Sequence, residues 1–199
     1  MALTLYGSSY SRSLRVLWML KELDLPFEHI PLQWQECGQN ADYLAINPTG
    51  TIPTLVDDGF VLAESLAINL HLARRYGRLW PAAEQDQALC WQWSLWAVAS
   101  METSYIQWAA HTLWLAPEAR DPAKAAAATE ALQRPLARLE QALQGQPWLL
   151  GHDFSVADLN VAGCINGLRR FDLTAYPTMA AWLNRCLDRP AYRAATQLP

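Results

Sequence analysis

Three short stretches of this chain carry residue types that chemistry can use, and each sits where a helix or strand should begin. The first is Gly7-Ser8-Ser9-Tyr10-Ser11. A turn at a helix start offers unpaired backbone N–H groups and a partial positive charge, so it stabilises an anion placed there. Hydroxyls on the turn could donate to that anion; equally, Ser9 or Ser11 could simply cap the helix. The second is Asn47-Pro48-Thr49-Gly50-Thr51-Ile52-Pro53-Thr54-Leu55. Ile52-Pro53 lies just before a strand, where Pro removes one donor and fixes the turn. With the usual trans bond this is an ordinary loop. With a cis bond, Ile52 would turn its backbone N–H and C=O outward, ready to pair with an extended peptide. The third is Glu64-Ser65, where a hydroxyl and an N–H could hold a carboxylate while the acid accepts from an ammonium group. Acid plus hydroxyl is also a common helix cap.

These stretches need elements to position them. Leu3–Tyr6 is a short apolar-rich run stopped by Gly7, which predicts a buried strand. From about Ser11 to Leu23, Val16, Met19, Leu20 and Leu23 share one helical face, and Leu14, Leu17 and Trp18 make the other side apolar too. Such a helix is covered on two sides. After Pro26, Phe27–Leu32 offers a second strand. Asp57-Asp58-Gly59 between Thr54-Leu55-Val56 and Phe60-Val61-Leu62 signals a hairpin. A helix follows from Ser65 to Tyr76, with Arg74 and Arg75 in its last turn and Gly77 as cap. This is an α/β unit over 1–78.

Beyond Pro81 the strand signals stop. Residues from about Ala83 to Trp114 read as one long helix or two joined end to end. Asp121-Pro122 starts another, which Pro135 should kink or break. Ser155-Val156-Ala157-Asp158 opens a further helix, and Tyr176-Pro177 a last one carrying Met179, Trp182, Leu183 and Leu187. The expectation is an all-helical domain over 84–199.

Bulk properties narrow the function. Of the 199 residues 52% are apolar and 17% charged, enough for a packed core, and the formal net charge is −4. The fifteen Lys and Arg are scattered instead of forming the basic stripe that a nucleic-acid surface needs. No apolar run approaches the roughly 18–20 residues that span a bilayer, and the N-terminus lacks signal-peptide character. A cytoplasmic protein without membrane or nucleic-acid partners is expected. Cys37, Cys90, Cys164 and Cys186 stand far apart and read as free thiols, two or three of them buried. The four histidines are isolated, so no metal site is expected.

In their order and spacing these stretches resemble the glutathione transferase family over nearly the whole chain. Leu5-Tyr6-Gly7 through Ser11-Arg12-Ser13-Leu14-Arg15-Val16-Leu17-Trp18 is similar to the serine-type bacterial and fungal members, theta- or zeta-like. Asn47-Pro48-x-Gly50-x-Ile52-Pro53-x-Leu55 and Leu62-x-Glu64-Ser65-x-Ala67-Ile68 resemble the family's glutathione-binding stretches, and Phe154-Ser155-Val156-Ala157-Asp158 its helical-domain capping motif. The resemblance implies a thioredoxin-like α/β N-terminal domain, an all-α C-terminal domain, a homodimer and glutathione as co-substrate. It puts Thr51, Ile52, Pro53, Glu64 and Ser65 on glutathione, with Ile52 pairing with the cysteinyl backbone and Glu64 and Ser65 holding the γ-glutamyl end. The hydroxyl that bonds the thiolate aligns with Ser11 in the theta-like pattern and nearer Ser8 or Ser9 in the zeta-like one; Ser11 is preferred over Ser9.

The implied chemistry is thiol activation. A free thiol with a pKa near 8.5 is only a few per cent ionised at neutral pH, and lowering it by about two units takes roughly 2.7 kcal/mol. A hydroxyl donor to a charged acceptor supplies about 1.5–3 kcal/mol and a helix N-terminus up to about 1–2. Thr51 stands where many members carry Lys or Arg for the glycyl carboxylate, which implies either weaker glutathione binding or help from another residue such as Gln39 or Asn40. Tyr10 stands where a cysteine-type member would have its Cys. Tyr10, Tyr105, Trp108 and His111 could line the pocket for a hydrophobic electrophile, while Trp91, Trp93 and Trp96 read as core. The competing expectations are a non-catalytic protein of this fold that binds ligands or partners, and a glutathione-dependent isomerase or dehalogenase.

Overall fold

The computed structural model describes residues 2–199 as two compact units, one running to Ala82 and resumed by Asp188–Pro199, the other Ala83–Leu187. The first unit is built on strands β1 (Leu3–Tyr6), β2 (Glu28–Ile30), β3 (Thr54–Asp57) and β4 (Phe60–Ala63). They form one sheet in the order β2-β1-β3-β4, with β1 and β2 parallel and the other pairs antiparallel. Helix α1 (Ser13–Glu22) crosses between β1 and β2, short helices α2 (Trp34–Cys37) and α3 (Ala41–Ile46) lead to β3, and α4 (Ser65–Tyr76) follows β4. This is the thioredoxin-like arrangement expected.

Local chemistry accounts for these elements. Leu3 and Leu5 are buried and alternate with half-buried Thr4 and Tyr6, as a strand with one core face requires. The Asp58-Gly59 turn has φ of 49° and 89°, the paired positive values of a tight hairpin. Gly77, at φ 63°, ends α4, and Arg78 just beyond it donates to the Glu22 carbonyl at 2.9 Å and to that of Leu23, satisfying acceptors at the end of α1. Burial on most of its circumference, from Ser13 through Leu20, follows from α1 packing on α4 and on a later helix of the same unit.

The second unit is helical. Residues 84–114 are helical throughout, α5 (Glu84–Trp96) and α6 (Thr103–Ala109) being joined and followed by wider turns over Ala97–Glu102 and Ala110–Trp114. Helix α7 (Pro122–Ala142) is capped by Asp121, which accepts from the N–H groups of Ala123 and Lys124 at 2.9 and 3.2 Å. Of the kink or break expected at Pro135, no break occurs. Proline removes one backbone donor there, and Leu132, Leu136 and Leu139, all buried, hold the helix on its apolar face. Helix α8 (Val156–Cys164) is buried along its length and opens with the predicted Ser155–Asp158 capping box. Asp158 also accepts from Leu149 N–H and Trp182 Nε1, both at 2.8 Å. Helix α9 (Pro177–Leu187) buries Met179, Trp182, Leu183, Cys186 and Leu187.

Residues Asp188–Pro199, expected at the end of the helical domain, lie in the first unit, where α10 (Pro190–Ala195) packs on α1. All four cysteines are free and buried, where two or three buried ones were expected.

Candidate active site

The sheet register gathers the three stretches. Ile30, Tyr6, Thr54 and Ala63 pair in one row across the strands. Tyr6 and Ala63 end their strands and Thr54 begins its own, so Gly7, Pro53 and Glu64 leave the sheet at the same end. At about 4.8 Å per strand they span about 10 Å. Gly7 shows how tightly the corner is drawn: at φ 138°, a Cβ there would lie 1.9 Å from Ser13 Oγ and 3.4 Å from Ile52 Cβ. Its N–H donates to Ile30 O at 3.0 Å, and its carbonyl is 2.8 Å from His29 Nε2.

The serines of the turn divide by where their protons go. Ser11 donates to Ser8 O at 2.8 Å, lies 2.9 Å from Ser13 Oγ and accepts from the N–H of Ser13, the first residue of α1, at 3.1 Å. Ser9 donates its hydroxyl to Leu198 O at 2.6 Å and its N–H to Pro199 O at 3.1 Å. Ser8 is 1% exposed, and neither its N–H nor its hydroxyl has a partner among the described residues. Tyr10, between Ser9 and Ser11, is 87% exposed.

The Ile52–Pro53 bond is cis, and the N–H and C=O of Ile52 make no hydrogen bond to any other described residue. A buried brace holds the segment. Asn47 Nδ2 donates to Thr51 O and to Thr54 Oγ1, each at 2.9 Å; the Tyr43 hydroxyl donates to Thr51 O and lies 2.7 Å from Thr54 Oγ1. Burial, the largest influence, raises the Tyr43 pKa above its ordinary value, so the phenol keeps the proton it donates. Tyr43 escaped the sequence reading because an isolated tyrosine carries no motif. Asn47 lay inside the recognised stretch without a role. Thr51 is exposed and its hydroxyl lies 2.8 Å from that of Thr49. Of the residues suggested to stand in for a basic side chain, Asn40 is occupied in accepting from Tyr43 N–H at 3.0 Å, while Gln39 is exposed.

Glu64 is exposed, at φ 68°, a backbone region that non-glycine residues seldom adopt. Its carboxylate has no partner among the described residues. Ser65 beside it is buried at the first position of α4, and its hydroxyl accepts from Arg15 NH1 at 3.3 Å. A carboxylate acceptor, a hydroxyl and helix-start N–H groups thus stand together, able to meet both charges of an amino-acid end.

In the helical unit, Tyr105 and Trp108 are buried, their rings 6.3 Å apart, with Trp108 edge-on to Phe171. The Tyr105 hydroxyl donates to Asn166 Oδ1 at 3.2 Å and accepts from Gly167 N–H at 3.1 Å, and His111 Nδ1 accepts from Asp121 N–H at 3.1 Å. Trp114, 58% exposed, packs edge-on against Tyr105. Among the described residues no cluster of three or more His, Cys, Asp and Glu is placed to hold a metal ion, and no helix is long and apolar enough to cross a membrane.

Residues 8–75 match the family "Glutathione S-transferase, N-terminal domain" and residues 103–190 "Glutathione S-transferase, C-terminal domain". The chain is 34% identical to glutathione S-transferase GstB of Escherichia coli K12, over 99% of both chains. It is 30% identical to the disulfide-bond oxidoreductase YfcG of the same organism, over 94% of this chain and 91% of that one. Among solved structures, the theta-class glutathione S-transferase of Xanthomonas axonopodis pv. citri with glutathione bound superposes with a TM-score of 0.89 at 30% identity, covering 98% of this chain and 96% of that one.

Proposed function

Because the chain belongs to the glutathione S-transferase family, we propose that it binds glutathione at the end of the sheet and activates its thiol for attack on a hydrophobic electrophile. In this reading Ile52 pairs with the cysteinyl backbone, Glu64 and Ser65 take the γ-glutamyl end, and Thr51 and Pro53 border the peptide. The thiol proton passes to solvent. The thiolate sulfur then forms a bond to the electrophilic carbon, and the leaving group departs with the electron pair of the broken bond. A homodimer is the working unit, as in the family generally.

One observation carries the reading: the Ser8 N–H and hydroxyl and the Ile52 backbone, all without partners among the described residues, stand at the same sheet end as Glu64. It moves the preferred thiolate donor from Ser11 to Ser8, since Ser11 and Ser9 already give their hydroxyl protons to carbonyls. Ultraviolet titration of the bound thiolate tests this. Ser8→Ala should raise the thiol pKa by about 1–2 units and lower kcat/KM about 10- to 100-fold near neutral pH. Ser11→Ala should chiefly lower Tm through the lost bonds to Ser8 O and Ser13 N–H. A shift in Ser11→Ala alone would return the role to Ser11; no shift in either variant would remove thiolate activation by this turn.

The likeness to YfcG favours a second reading, in which the same thiolate attacks a disulfide sulfur and expels the other half as thiolate. The turn has no Cys, so bound glutathione would be the attacking thiol. Turnover of a small disulfide but not of an aryl halide would select it.

A further inference from the structure

Ser9 is 8% exposed, and both of its donors go to carbonyls far along the chain, its hydroxyl to a residue 189 positions away. No other described residue bonds its side chain or its N–H. The helix that delivers those carbonyls is fixed on α1. Arg189 donates to both oxygens of Glu22, at 2.6 and 2.8 Å; Glu22 also accepts from Trp18 Nε1 at 2.9 Å. The Trp18 ring meets that of Tyr192 edge-on at 4.9 Å. The turn, α1, α10 and residues 196–199 therefore form a closed mechanical loop that returns to the turn it started from.

Gly7 is held by Ile30 and His29, and within the turn the Ser8 carbonyl accepts from both the N–H and the hydroxyl of Ser11. Between them Ser9 is anchored by Leu198 and Pro199. We propose that Leu198–Pro199 is a positioning element of the active-site turn: by taking both donors of Ser9 it fixes the backbone that presents Ser8. Ser9 is then the receptor for this segment and makes no contact with the sulfur. The inference rests on the reading of Ser8 as thiolate donor given above, and it predicts that a change outside the glutathione-binding residues alters the thiol's pKa with little effect on glutathione affinity.

The test uses four forms of the full protein: Ser9→Ala, deletion of Leu198 and Pro199, the two combined, and Ser9→Thr. The pH profile of kcat/KM and amide hydrogen exchange across Gly7–Ser13 are read in each. Ser9→Ala and the deletion should each move the thiol-linked inflection up by about 0.5–1 unit and leave KM for glutathione within about threefold. The combined form should move it no further than the deletion alone, because the deletion already breaks the hydroxyl bond that Ser9→Ala removes, and Ser9→Thr should restore the parent profile. Exchange in the turn should quicken about tenfold in the first three forms. Additive shifts, or a profile and exchange both unchanged, would overturn the proposal. Should the parent show no thiol-linked inflection, the thiolate reading fails by itself and exchange decides the positioning role: unchanged exchange overturns it and faster exchange supports it.

Discussion

Ser8, Ser9 and Ser11 lie within four positions and carry the same group, yet one closes the turn onto its own backbone, one anchors a distant segment and one keeps its proton available among the described residues. A hydroxyl already bonded to a carbonyl must lose that bond before it can meet a thiolate, so the uncommitted one stabilises the anion at least cost. The neighbouring Thr51 lends itself to a similar argument. It is exposed and neutral, and in the proposed reading it borders the glycyl end of the peptide. Thr51→Lys should tighten glutathione about 3- to 10-fold by calorimetry at low ionic strength, with the gain shrinking as salt rises. Unchanged affinity at low salt would place that carboxylate elsewhere. Sequence alone located the turn but could not apportion its hydroxyls, because what separates them is the position of the carbonyls of Ser8 and Leu198, which only the fold determines. For the same reason Tyr43, which braces Thr51 through a packed phenol, left no mark in the sequence pattern.

At the scale of elements, what was legible is what local chemistry decides. The Asp58-Gly59 hairpin, the Asp121-Pro122 start and the Ser155–Asp158 box all form as read, since each depends on residues within four positions of one another. No break forms at Pro135 because a local rule, a missing N–H, is outweighed by the burial of a whole helical face. The start of α9 shows a cap that no short motif announces: Glu140, on α7, accepts from the N–H groups of Thr178 and Met179 at 3.1 and 2.8 Å. Burial works to raise its pKa, but the bonds from Met179 and Thr178 prevail and hold the carboxyl below its ordinary value. A depressed carboxyl pKa stabilises the fold above its unfolded-state value, near 4.3, and that contribution is lost as pH falls through the lower folded value. Glu140→Gln should therefore cost about 1 kcal/mol near pH 7 by denaturant titration, and the gap to the parent should narrow below about pH 4. A gap independent of pH would show that the charge has no part in the cap.

At the scale of the whole molecule, the first unit is discontinuous in sequence. The sequence reading assigned everything after residue 84 to the helical domain, because the contact that brings the chain back joins Arg189 to Glu22, 167 positions apart, and no local pattern records it. The consequence for stability is direct. Trp18, fully buried, would lose its contact with Tyr192, and Glu22 its guanidinium, in a fragment ending at Ala82. Burying a large aromatic is worth several kcal/mol, comparable to the net stability of a small domain. That fragment should lack a cooperative thermal transition by circular dichroism, and adding residues 188–199 through a flexible linker should restore one. A fragment that melts cooperatively by itself would show that α10 is dispensable to the first unit.

Synthesis runs in one direction. The ribosome makes the sheet first, then the entire helical bundle, and only afterwards the arginine that Glu22 awaits. Until then α1 lacks the helix that covers Trp18, so the nascent first unit stays incomplete through most of its translation.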